Sequence, residues 1–303
     1  MKAVVIHRYG GAEELKYEDM PDPVAGPGEV LVKVAAAGIN PIDIAQRSGA
    51  AKDFTPIQFP AILGWDGAGI VAKLGEGVSG LAVGERVALL AFHTYAELVA
   101  GKAELFVRVP DGLDLIDAAA LPLVTQTGSQ LISVGSGAKE GNTVLVSGAV
   151  GGVGRSAVYT AKNLGAHVIA GVEKRQLDEA RRIGADEVLA LDDAAAFAAF
   201  PQVDIAANTV RGATAAALMT KVRPGGTFAS ATGAPSNAKD FPLVKVVDFH
   251  MKPDSEMLFE LMEAVRDKRL TIPIARKMPL REAAAAQAAV EKGGLHGKIL
   301  LIP

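Results

Sequence analysis

The stretch Val144-Leu145-Val146-Ser147-Gly148-Ala149-Val150-Gly151-Gly152-Val153-Gly154 narrows the possible fold more than any other part of the chain. An apolar run of strand character enters a turn with four glycines, and the pattern beyond it, over 152–164, is helical. A tight turn needs positive φ, an approaching ligand needs main-chain N–H groups not shielded by a Cβ, and the helix must pack closely on its strand. The helix start adds unpaired N–H groups and the positive end of a dipole, which together favour an anion. With a strand before it, a helix after it and a second strand ending at Glu173 roughly twenty residues on, the turn predicts a cradle for a dinucleotide diphosphate. Ser147, Gly148, Ala149, Gly151, Gly152, Val153 and Gly154 are its expected contacts.

Around this turn, extended and helical runs alternate. Residues 143–147, 167–172, 186–190, 203–207 and 227–231 read as strands, and 152–164 and 176–183 as helices. Strands joined by crossover helices predict a parallel sheet wound on both faces, an α/β Rossmann arrangement. From residue 1 to about 110 the pattern is different. Short β runs such as 30–34, 69–73 and 86–90 are punctuated by Gly26-Pro27-Gly28, Gly75-Glu76-Gly77 and Gly84-Glu85, which predicts a β domain with a change near Asp111. After about Phe241 the alternation stops, leaving amphipathic helices at 256–268 and 281–291 and a closing strand at 298–302 that rejoins the first domain.

Composition excludes several functions. The chain has no cysteine among its 303 residues, which removes disulfides, thiolate-held zinc, iron–sulfur clusters and thiol nucleophiles, so redox work needs a borrowed cofactor. A net charge of −3 and the lack of a basic-aromatic surface pattern argue against nucleic acid and anionic lipid as partners. The apolar run at the N-terminus is too short for a signal peptide, giving a cytoplasmic expectation. The uncharged stretch 118–138 carries Pro122, Thr125, Gln126, Thr127, Ser129 and Gln130, making it a poor membrane span and a better buried helix end near a ligand.

The nicotinamide cofactor depends on Glu173-Lys174-Arg175 after the second strand. A carboxylate there accepts the ribose 2′-OH of NAD, and basic groups pair with the 2′-phosphate of NADP. Both are present, and all three can equally be solvated surface charges; NADP(H) is favoured over NAD(H).

Several motifs in order complete the pattern: Ala37-Gly38-Ile39-Asn40-Pro41-Ile42-Asp43, Pro60-Ala61-Ile62-Leu63-Gly64-Trp65-Asp66-Gly67-Ala68-Gly69, Gly84-Glu85-Arg86-Val87, Ala120-Leu121-Pro122, the turn at 148–154 and Gly297-Lys298-Ile299-Leu300. Nearly end to end, the chain resembles the zinc-independent quinone oxidoreductase branch of the medium-chain dehydrogenase/reductase superfamily, and Asn40-Pro41-Ile42-Asp43 resembles its enone (alkenal) reductases. The resemblance implies a GroES-like catalytic domain from 1–115 and 260–303, a Rossmann domain over 116–259, an active site in the cleft between them, and a homodimer. In metal-dependent relatives a cysteine stands at the place of Asn40 and a His-Glu pair at Trp65-Asp66. The five histidines, His7, His93, His167, His250 and His296, show no paired spacing, so no metal is expected.

Without a metal, hydrogen-bond donors must stabilise charge on the substrate carbonyl. Asn40 is the candidate catalytic donor, with a turn-forming Asn before Pro as the competing reading. The resemblance places Thr127 beside the nicotinamide and ribose; a helix threonine bonded to its own backbone is the alternative. Asn208, Thr232 and Gly233 follow strands and belong at the carboxyl edge where Rossmann ligands lie. Lys298 either reaches a phosphate or is an exposed strand lysine. Asp43 and Arg47 are expected to pair locally, and His93 and Tyr95 are candidate cleft residues. Where many such relatives have a tyrosine, this chain has Ala45. The function expected is NAD(P)H-dependent reduction of quinones or α,β-unsaturated carbonyls. The alternatives are a nucleotide-binding module with little catalysis and an alcohol dehydrogenase, which would need a metal.

Overall fold

In the strand Thr143–Ser147, Val144 and Val146 pack on one face with Val168 and Ala170 of the strand His167–Val172, and Leu145 packs on the other with Ile169 and Phe228. Both faces are covered, so these strands are apolar throughout instead of alternating with polar residues. Burying each such Val, Leu or Ile contributes about 1.5–3 kcal/mol. The computed structural model describes residues 1–303 and divides into two units: Met1–Leu123 with Pro253–Asp267 and Ile272–Pro303, and Val124–Lys252 with Lys268–Thr271.

The second unit holds a six-stranded sheet in the order Glu187–Ala190, His167–Val172, Thr143–Ser147, Val203–Asn208, Val222–Ser230, Lys245–Asp248, all neighbours parallel. Numbered along the chain this is 3-2-1-4-5-6, the doubly wound order, and the direction of winding reverses between Thr143–Ser147 and Val203–Asn208. The helix Gly152–Asn163 lays Gly154, Ala157, Val158 and Ala161, spaced 3.6-fold, against the sheet. The last strand, Lys245–Asp248, went unread in the sequence because it is short and only half buried.

The first unit carries a seven-stranded sheet running Ile274–Pro279, Lys298–Ile302, Glu29–Gly38, Asp66–Leu74, Arg86–Leu90, Phe106–Arg108, with Leu98–Lys102 also on Glu29–Gly38. A three-stranded sheet of Lys16–Asp19, Lys2–Ile6 and Ala61–Ile62 lies beside it in the order given. The C-terminal strand pairs antiparallel with Glu29–Gly38 through Leu300↔Gly38 and Leu301↔Ala37, so chain ends far apart in sequence share one sheet. The segments 116–123 and 253–259, assigned from sequence to the nucleotide-binding part, fall in this unit because Leu115–Ala118 packs on its strands and Ser255–Arg266 on Phe106–Arg108. The uncharged stretch 118–138 spans two helical segments, Pro122–Gln130 and the π-helical Leu131–Ser136. No helix is long and apolar enough to cross a membrane.

Candidate functional site

Gly148 leaves its strand at φ 62, the left-handed region that favours glycine. A Cβ at Gly154 would strike the carbonyl oxygen of Gly148 and come within 2.7 Å of Ala149 Cα, so helix and turn approach as closely as backbone allows. At Gly151, by contrast, a Cβ would meet only Gly148 O at 3.3 Å; that side of the turn is open. Gly151 caps the helix without a side-chain bond and the first turn contains no acid, so neither the cap nor the first turn neutralises its positive end. Buried Arg155 braces the turn from behind, with Nε donating to Val150 O at 2.9 Å, Nη1 to Thr271 Oγ1 at 2.9 Å, and Nη2 paired with Glu179. These features fit a diphosphate at residues 148–154, and the bracing role of Arg155 had no signature in the local sequence.

At the carboxyl edge of the sheet, buried Asn208 ties three strand ends together. Its Oδ1 accepts from Ser147 Oγ at 2.9 Å, and its Nδ2 lies 2.8, 3.0 and 3.1 Å from Val210 O, Ser230 Oγ and Thr232 Oγ1. Thr209 N–H returns to Ser147 Oγ at 3.0 Å. Asn208 and Thr232 therefore join Ser147 in one rung, and Gly233 lines a concavity of about 410 Å³ with Arg211 and Thr232. Thr127 is half buried on the helix Pro122–Gln130.

Beyond His167–Val172, exposed Glu173 accepts from Arg175 Nε at 2.5 Å, and Lys174 Nζ lies 3.3 Å from Asp193 Oδ2. Lys174 N–H donates to Asp192 Oδ1 at 2.7 Å. Sequence reasoning missed the aspartate pair, which lies eighteen and nineteen residues further on and arrives beside Lys174 only through the parallel pairing of the strands.

In the first unit, the helix Pro41–Ser48 starts with Pro41 at its first position and stops at Gly49, φ 81. Its buried residues Asp43, Gln46 and Arg47 lie at i, i+3 and i+4, so the helix turns a polar stripe inward and needs partners from elsewhere. Arg47 does not pair with Asp43, contrary to the expectation from spacing. Its guanidinium donates to Gly10 O at 3.2 Å, Gln287 Oε1 at 2.8 Å and Glu291 Oε1 at 2.7 Å. Asp43 Oδ2 accepts from Asn40 N–H and from Tyr95 Oη, each at 2.8 Å, and its Oδ1 has no partner. Burial raises the Asp43 carboxyl to about 7, offset by the Asn40 N–H and reinforced by neighbouring Asp66. Tyr95, fully buried beside that acid, is held well above the usual phenol range, burial again being the main cause. It is a core residue and not a cleft residue.

Asn40 is 1% exposed, and its Nδ2 donates to Asp66 Oδ1 at 2.8 Å and lies 3.4 Å from Gly38 O. Its Oδ1 accepts from Lys298 Nζ at 2.8 Å; an ammonium only donates, which fixes the amide orientation. Lys298 Nζ also meets Asp66 Oδ2 at 3.0 Å. The amide expected to face a substrate is thus directed into the protein. Lys298, expected to reach a phosphate or solvent, is a buried ion-pair lysine. No three His, Cys, Asp or Glu side chains converge to hold a metal ion.

A cavity of about 620 Å³ opens in this unit between the helix carrying Gln46, the segment 54–58, residues 60–64, and Phe92-His93. Trp65 stands behind it. The indole N–H donates to Gln46 Oε1 at 2.7 Å, and the ring meets Phe92 edge to face with centroids 4.6 Å apart. His93, at φ 70, has Nδ1 2.8 Å from Ile62 O; a carbonyl only accepts, so the proton sits on Nδ1.

Comparison with known proteins adds the following. A family model of the alcohol dehydrogenase GroES-like domain matches residues 26–111, and one of zinc-binding dehydrogenases matches 183–301. The chain is 30% identical to a 2-haloacrylate reductase of a Burkholderia species over 99% of this chain and 98% of the relative. It is 29% identical to a chloroplast envelope quinone oxidoreductase homolog of Arabidopsis thaliana over 100% and 98% of the two. Among solved structures, the Escherichia coli quinone oxidoreductase complexed with NADPH superposes with a TM-score of 0.89 at 25% identity, covering all of both chains.

Proposed function

Since the chain belongs to the quinone oxidoreductase branch of the medium-chain dehydrogenase/reductase superfamily, we propose that it is an NAD(P)H-dependent oxidoreductase of quinones and α,β-unsaturated carbonyls. The observation that carries this reading is the open, uncapped and acid-free glycine turn at 148–154, at the mouth of a helix in a sheet of order 3-2-1-4-5-6. When bound, the nicotinamide supplies hydride. One hydride and one proton convert a quinone to a hydroquinone, or saturate the carbon–carbon double bond of an enone, leaving the nucleotide oxidised. Main-chain N–H groups of 152–154 hold the diphosphate, and the rung of Ser147, Asn208 and Thr232 keeps the strand ends beneath it rigid. Thr127 and Gly233 complete the nucleotide contacts in this reading.

We take NADPH as the preferred nucleotide, supported by the exposed Lys174 and Arg175 after the second strand and by the ligand named for the Escherichia coli structure. We take the enzyme to work without zinc, since an ammonium already lies within hydrogen-bond distance of both Asn40 and Asp66. Its support for a homodimer is the free outer edge of Lys245–Asp248.

The test is loss of NADPH absorbance with 1,4-naphthoquinone and with an enone, before and after chelation. Turnover insensitive to chelation is expected. No turnover over a broad panel, with calorimetry still detecting nucleotide, would leave a binding module instead.

A further inference from the structure

Gln46 is 5% exposed, yet it lines the cavity of about 620 Å³. An indole N–H is a donor with no acceptor capacity, so the amide atom 2.7 Å from Trp65 Nε1 must be oxygen. With the oxygen held on the Trp65 side, the Nε2 donors are the part of the amide left to reach a ligand in the cavity. Turning the amide over would break this hydrogen bond and set its N–H groups against the half-buried indole N–H, which disfavours the flip. Trp65 also buttresses the wall, because Phe92, which lines the same cavity, packs edge to face on it. Phe54, Ile57 and Leu63 contribute to a mainly apolar lining, in which Thr55, Gln58 and His93 are the other polar side chains. A mainly apolar chamber of this size in which Gln46 is the buried amide with a fixed orientation suits a flat ligand that carries an acceptor at its edge.

We propose that this cavity binds the ring of a quinone and that Gln46 is the specificity-determining residue, its Nε2 donating to a quinone carbonyl oxygen while Trp65 holds the amide in that sense. This rests on the oxidoreductase reading above and goes further, naming the atom that holds the oxidant. It also reassigns the donor role expected of Asn40, whose amide is turned toward Asp66 and Gly38. Trp65 touches Gln46 and not the ligand, so it acts as a positioning residue.

The protein carries its own probe. Trp65 is the one tryptophan in the chain, and the absence of cysteine removes the thiols to which quinones add. In nucleotide-free protein, 1,4-naphthoquinone is expected to quench Trp65 fluorescence saturably, and naphthalene, of the same shape without oxygens, to compete for the same space. The measured quantity is the ratio of the two dissociation constants. Gln46→Met keeps side-chain length and removes the donor, so the preference for the quinone should shrink about five- to tenfold while naphthalene binding holds. Phe92→Leu should weaken both ligands alike and leave the ratio intact. An unchanged ratio in Gln46→Met, or quenching without saturation in the parent protein, would overturn the proposal.

Steady-state assays separate this from the broader reading. If the parent oxidises NADPH with naphthoquinone and Gln46→Met keeps both the binding ratio and KM, the cavity assignment falls and the oxidoreductase stands. If the ratio collapses in Gln46→Met but the parent never oxidises NADPH, the cavity stands and the oxidoreductase falls.

Discussion

At residues 148–154 the second unit handles charge with main chain alone: glycines, a helix start without a side-chain cap, and no acid in the first turn. Around Lys298 the first unit does the opposite, closing an ammonium, a carboxylate and an amide on one another until none is more than 8% exposed. One region leaves hydrogen-bonding capacity for a ligand; the other spends its capacity internally. The contrast shows that a buried polar cluster is not by itself a binding site. What distinguishes the two is whether the donors already have acceptors.

The largest effect should come from breaking the closed cluster. Lys298→Met leaves Asp66 charged and buried without its partner, a loss of about 3–5 kcal/mol in denaturant unfolding. Nucleotide affinity measured by calorimetry on the folded variant should stay within about twofold. A large fall in affinity at unchanged stability would return Lys298 to the phosphate role first expected of it.

Next comes the open turn. Gly154→Val drives a side chain into the carbonyl of Gly148, so nucleotide affinity should drop about a hundredfold or more, near 2.7 kcal/mol. Unchanged affinity would remove the basis for the nucleotide assignment.

A third test concerns Asp43, whose carboxyl is raised by burial to about 7. Between about pH 4 and 7 the unfolded chain has released this proton and the folded chain has kept it. Stability therefore falls as pH rises through that window, by at most ~1.4 kcal/mol per pH unit, and levels off above it. Asp43→Asn should flatten this slope in unfolding curves taken at pH 5 and pH 7; an identical slope would mean that another group titrates.

The smallest effect is expected at the ribose end. Glu173→Ser frees Arg175 from its carboxylate and should raise affinity for NADPH over NADH a few-fold, about 1 kcal/mol. A fall in NADPH affinity would show that Glu173 does not oppose the phosphate.

The strand, the turn and the helix around 143–163 were legible in sequence because each is set by neighbours in the chain. Glycine at φ 62, apolar residues on both faces of a strand and an acid-free helix start are local properties. The doubly wound sheet followed from the alternation of such elements. The closed cluster was not legible, because Asn40 meets Asp66 26 positions away and Lys298 meets Asp66 232 positions away. Arg47 passes over Asp43, one turn back on its own helix, for Gln287 at a separation of 240. Local spacing gives the residues within reach, but a buried side chain takes the partner that packing delivers with the best geometry and the fewest unpaired atoms. For this chain the sequence settled the strand, turn and helix of 143–163, and the tertiary structure decided that Asn40 and Lys298 bond to each other and that Trp65 fixes the amide of Gln46.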